Sequence, residues 1–106
     1  MAAKVLGQSK PVATTQTDLY AVPAGKSAVV SSIVISNQSA TATSFRVNIA
    51  VAAAADATKQ YLYYNVPIAG NDTFIATIGI TLAATDVVRV YNTLATCSFN
   101  LFGDES

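Results

Sequence analysis

Few side chains in this sequence can do chemistry, and their types exclude more than they permit. Histidine is absent and Cys97 is the single cysteine. A Ser–His or Cys–His nucleophile pair therefore cannot be assembled. A Cys/His zinc site within one chain and an intrachain disulfide are excluded on the same count. Carboxylates are the remaining acid–base groups. Asp18, Asp56, Asp72 and Asp86 fall at the ends of strand-like runs or in loops, where an aspartate caps turns through its own side chain. Glycoside hydrolysis needs two carboxylates at a set separation, one of them with a raised pKa, and no spacing here marks such a pair. Calcium could be offered Asp72 and Asp86 with loop carbonyls, but no acidic loop of EF-hand spacing is present. The five glycines are scattered, so no phosphate-cradling loop exists. The expectation is a chain with no catalytic residue, no metal and no cofactor, and so not an enzyme.

Aromatic side chains are the better candidates for contact. Tyr61, Tyr63 and Tyr64 lie within six residues. Strand alternation puts Tyr61 and Tyr63 on one face, with Leu62 and Tyr64 on the other. Whichever face is core, one or two tyrosines stay outside, where they suit protein interfaces or sugar stacking. Cys97 shares the inward phase of Phe99 and Leu101, so it reads as a small core residue rather than a reactive thiol.

The elements that must position these residues read as strands. Val and Thr, stiff at the first side-chain torsion, are abundant. Phe45, Val47, Ile49 and Val51 alternate with Ser44, Arg46, Asn48 and Ala50. Val88 and Val90 alternate with Arg89 and Tyr91, and Cys97, Phe99 and Leu101 with Ser98 and Asn100. These phases predict one core holding Phe45, Val47, Ile49, Val88, Val90, Phe99 and Leu101. In 27–36, Val29, Ser31, Ile33 and Ile35 share one phase and Val30 and Val34 the other, which predicts a central strand covered on both sides. Pro23 and Gly25 mark a tight turn, and 37–41 and 67–72 read as loops. The Ala-rich 52–59 is too short to stand as a helix and reads as a loop with one helical turn. Runs at about 4–9, 17–22, 27–37, 43–52, 59–66, 72–80, 86–92 and 96–102 give seven or eight short strands. The fold expected is all-β, a single antiparallel β-sandwich of Ig-like or jelly-roll type over residues 1–106. Residues 103–106 read as a solvated tail. Residues 1–16 read either as an arm that adds a strand to a neighbour or as an edge strand of the chain's own sandwich.

Bulk composition narrows the partners. In 106 residues, 52% are hydrophobic, 11% are charged and the formal net charge is zero. That balance opposes disorder and leaves no electrostatic footprint for nucleic acid or an anionic membrane. No apolar run approaches the roughly 20 residues of a membrane helix. Residues 1–8 hold one lysine and no apolar core, so no secretory signal is expected there. The triplets at Asn37 and Asn71 then read as loop residues rather than glycosylation sites.

The strings Asp18–Asn37, Ala69–Thr73, Gly79–Tyr91 and Ser98–Gly103 resemble, together over nearly the whole chain, small virion proteins of tailed bacteriophages. The resemblance implies a β-sandwich or jelly-roll module made in the host cytoplasm and built into the particle. It implies a capsid decoration (cement) protein that bridges subunits of the major capsid protein. The alternatives are a tail, neck or fibre-associated piece, and a carbohydrate- or receptor-binding sandwich using the tyrosines. It carries over no catalytic residue. A homo-oligomer, with a trimer as one option, is expected because a core rich in alanine and lacking staples gains stability from partners. Val5, Leu6 and Val12 of the N-terminal segment, with Tyr61, Tyr63 and Tyr64, are the apolar side chains left for that contact.

Overall fold

A computed structural model describes residues 2–106. Eight strands are formed: β1 (Ala2–Ser9), β2 (Thr17–Ala21), β3 (Ala28–Asn37), β4 (Thr43–Ala50), β5 (Tyr61–Ile68), β6 (Thr73–Leu82), β7 (Val87–Asn92) and β8 (Cys97–Glu105). They make two four-stranded antiparallel sheets, in the orders β1-β8-β3-β6 and β2-β7-β4-β5. Strand 1 therefore neighbours 8, 2 neighbours 7, 3 neighbours 6 and 4 neighbours 5. That winding is a jelly roll and not the Ig-like order.

The core lies between the sheets where the alternation put it. Phe45, Val47, Val88, Val90, Phe99 and Leu101 are buried, and Ile49 packs half-buried against them. Cys97 is buried too, and burial pushes its thiol pKa up. A reactive thiolate needs the opposite shift. Val51 departs from its predicted phase. It is exposed in a 3-10 turn, Val51–Ala53, because β4 ends at Ala50. A second such turn covers Thr58–Gln60.

Two expectations are corrected. First, β3 is central, but its outer face is not covered: Val29 is exposed and Val34 half-buried. A bulge near Ser31 shifts the phase, so Val30 joins Ile33 and Ile35 in the core. Period-2 counting cannot see an inserted residue. Second, 103–106 is not a solvated tail. Gly103, Asp104 and Glu105 lie in β8 with register partners in both β1 and β3, and Ser106 exchanges two backbone hydrogen bonds with Ser27. Of the two readings of 1–16, the structure bears out the edge strand: residues 2–9 lie in the chain's own sheet, beside β8.

The β1–β8 edge carries a titratable cluster. Glu105 Oε1 accepts from the Tyr20 hydroxyl at 2.6 Å, and Oε2 accepts from Lys4 Nζ at 3.1 Å. The Tyr20 hydrogen bond, then Lys4, hold the Glu105 carboxyl below its ordinary value of 4.5. A carboxyl depressed in the folded state stabilises the fold above its unfolded pKa, and that contribution is lost as pH falls through the folded pKa. The thermal midpoint should therefore decline below about pH 4.5. Glu105→Gln should flatten that part of a melting-temperature profile against pH. An unchanged slope would assign the acid sensitivity to other carboxylates.

Candidate functional site

The sandwich presents two outer faces of different chemistry. On the β2-β7-β4-β5 sheet, Arg46 points outward from β4. Its guanidinium carbon lies 4.3 Å from the Tyr64 ring centroid on β5 and 4.4 Å from that of Tyr91 on β7. Both distances fall in the range where a cation is attracted to an aromatic face. Arg46 Nε donates to Asn65 Oδ1 at 2.7 Å. Tyr61 meets Tyr64 edge-on at 5.0 Å. With Asp56, Ala57 and Thr58 from the loop after β4, Arg46, Tyr61 and Tyr64 line a shallow cleft of about 270 Å³.

The same loop covers buried Asn48. The Asn48 amide donates to Gln60 Oε1 at 2.9 Å and to Asp56 Oδ1 at 3.3 Å, and its carbonyl accepts from Gln16. Arg89 bridges Asp18 at 3.0 Å and Asp56 at 2.8 Å. Asp86 receives the Ala52 and Ala83 amides, and Asp72 receives the Thr73 amide. All four aspartates weighed for catalysis thus cap backbone or pair with arginine. Among the described residues, no group of three or more His, Cys, Asp or Glu could hold a metal ion.

The tyrosine alternation is altered by β5 itself. Val47 pairs with Tyr63 but the next residue, Asn48, pairs with Tyr61, so Leu62 is an inserted residue. Tyr63 consequently turns inward, 5.3 Å from Phe74 and 6.3 Å from Phe45. Tyr61 and Tyr64 share the outside. The register of β4 against β5, not the local sequence, selects which tyrosines are offered.

The β1-β8-β3-β6 sheet presents the second face. Register and exposure put Val5 beside Phe102, then Ser32 and Thr77. The next row holds Asn100, Val34 and Ile75. Asp104 is the charged side chain within this face, with Lys4 at its β1 margin. No family model matches the chain, and no match was found among curated proteins or solved structures.

The six side chains expected at an interface therefore do not form one surface. Val5 is exposed on the β1-β8-β3-β6 face, and Val12 is exposed in the loop before β2. Leu6 and Tyr63 pack half-buried against the core. Tyr61 and Tyr64 lie on the opposite sheet. Sequence reasoning also missed three buried asparagines that tie the loops down. Asn37 donates to the Thr41 and Ala69 carbonyls, and Asn92 to those of Pro11 and Val12. Asn48 is the third. Each ends or nearly ends a strand, a weak sequence signal, since asparagine also suits open turns. No helix is long and apolar enough to cross a membrane.

Proposed function

We propose that this chain is a non-enzymatic structural protein of a tailed-phage virion, a capsid decoration module that docks by the outer face of β1-β8-β3-β6. The observation carrying this reading is the near absence of charge from that face. A sheet surface of Ser, Thr, Val and Asn with Phe102 and Ile75 can be dehydrated at small cost, because few ions lose their water. The sequence resemblance supplies the particle, and the jelly-roll winding is compatible with it, though a fold alone assigns no function. Strands of 8 to 10 residues give a face of about 500–600 Å² at a rise of ~3.3 Å and a spacing of ~4.8 Å. A standard interface takes about 800 Å² per partner. One copy should hence hold weakly and depend on multivalent attachment.

Quantitative mass spectrometry of purified particles tests the location. Hundreds of copies support decoration, and a handful moves the same module to tail or neck. Val34→Lys should place a charge at the centre of the face and release the protein from particles, with its melting temperature nearly unchanged. Retention of Val34→Lys would reject this docking face. A second reading rests on the Arg46–Tyr61–Tyr64 cleft, whose donors and exposed rings suit a sugar. Glycan-array binding lost in Tyr64→Ala would favour it.

A further inference from the structure

The four sheet edges are not equally protected. Exposed edges invite pairing with other chains, and charge, proline, bulges and shortness discourage it. β1 carries Lys4 and a bulge between Val5 and Gly7. β2 has five residues, Asp18 and an irregularity. β5 has two irregularities, Pro67, and Asn65 at a φ of 52°. β6 has the fewest of these defences, a single register shift where Ile78 and Gly79 stand opposite Ser31. Its ten residues, Thr73–Leu82, contain no charge and no proline, and β3 is its one partner in the sheet. Exposure alternates without a break along β6 despite that shift.

The sandwich is also unfinished along this side. Phe74, Ala76, Ile78 and Ile80 point to the core yet stay half-buried, and Ile75 on the other face is 66% exposed. The order of side chains along β6 suits one occupant, a second β6. Pairing about a two-fold axis at Thr77 sets each residue against the one whose number completes a sum of twice 77. Ile75 then meets Gly79, Ala76 meets Ile78, Phe74 meets Ile80, and Thr73 meets Thr81. On the outer face the exposed Ile75 faces a glycine, and on the inner face an alanine faces an isoleucine. Large thus meets small at both steps nearest the centre, no like charges oppose, and inward residues meet inward residues.

We propose that β6 is a self-association edge: two copies pair their β6 strands antiparallel about a two-fold axis at Thr77, fusing β1-β8-β3-β6 and its mate into one eight-stranded sheet. The contact is isologous and closes on itself, giving a pair of subunits rather than a ring of three. Its existence does not depend on the proposed docking role. Where that role holds, pairing doubles this sparsely charged face to about 1,000–1,200 Å², past the area one standard interface needs.

Sedimentation of the free protein, without particles, tests the edge. The wild-type chain should be dimeric at micromolar concentration. Thr77→Lys alters an exposed side chain, so it should keep the wild-type melt but bring two ammonium groups together on the axis. It should weaken the dimer roughly tenfold or more. Mixing Thr77→Lys with Thr77→Glu should restore a mixed dimer. Register is read by cysteine. Thr77→Cys should cross-link its own partner under mild oxidation, since directly opposed Cβ atoms lie about 4.5–5.5 Å apart. Ile75→Cys, whose neighbour is Gly79, should not. A wild-type monomer at micromolar concentration overturns the proposal. So does a Thr77→Lys dimer as tight as wild type, or cross-linking by Ile75→Cys and not by Thr77→Cys.

Discussion

Replacing Phe99 with alanine should cost about 3–5 kcal/mol of folding stability. Phe99 is fully buried on β8, and its ring meets that of Phe45, fully buried on β4, at 6.3 Å and 74°. The pair bridges the two sheets at the middle of the sandwich. Val47, Ile33, Ile35 and Leu101 are also fully buried, or nearly so, and each is already packed. A domain of this size is held by about 5–15 kcal/mol in all. A loss of this size would lower the thermal midpoint by tens of degrees at about 4–8 °C per kcal/mol. Calorimetry of Phe99→Ala against wild type checks it. A loss under about 1.5 kcal/mol, the size of a tolerated core swap, would mean that the two sheets close over the cavity.

Strands were legible in the sequence because one physical signal dominates them. With one face wet and one dry, a strand repeats every two residues, and Phe45–Ile49, Val88–Val90 and Cys97–Leu101 carry that signal unbroken. The start of β8 was readable for this reason. Its end was not: Gly103, Asp104 and Glu105 look like tail residues until β1 and β3 supply partners on both sides. Bulges set the other limit. An inserted residue near Ser31 or Leu62 is fixed by the neighbouring strand's register, and each reassigned side chains that alternation had placed on the wrong face. The outer faces depended wholly on this. Tyr61 and Tyr64 share a face, and Val34 joins Ile75, only once strands far apart in sequence are set side by side. The outer face that joins Phe102 to Ile75, the Arg46 cluster and the open β6 edge are consequences of strand order, to which a local pattern has no access.

Removal of residues 2–16 should abolish the folded state rather than free a dispensable arm. β1 pairs with β8 from Ala2 opposite Glu105 to Ser9 opposite Phe99. Without it, the strand that carries Phe99 and Leu101 becomes an edge, and its polar backbone groups on that side lose their partners. Lys4 leaves Glu105, and Leu6 leaves the core margin. The loop from 10 to 16 goes too. Its Pro11 is buried, the Pro11 and Val12 carbonyls accept from fully buried Asn92, and Gln16 donates to fully buried Asn48. Each buried polar group left unpaired costs about 1–3 kcal/mol. Gly7 shows how closely β1 is fitted, since a Cβ there would overlap the Leu19 carbonyl of β2. Together these losses exceed what a domain of 106 residues can spare. The truncated chain should lack a cooperative thermal transition and the far-ultraviolet signature of a sheet. A cooperative melt close to wild type would show that β1 is a detachable strand and would return the exchanged-arm reading. The test also bears on assembly. If 2–16 belongs to the fold, its loss removes particle binding by unfolding the module, and Val34→Lys, which leaves the core intact, is the variant that reports on docking alone.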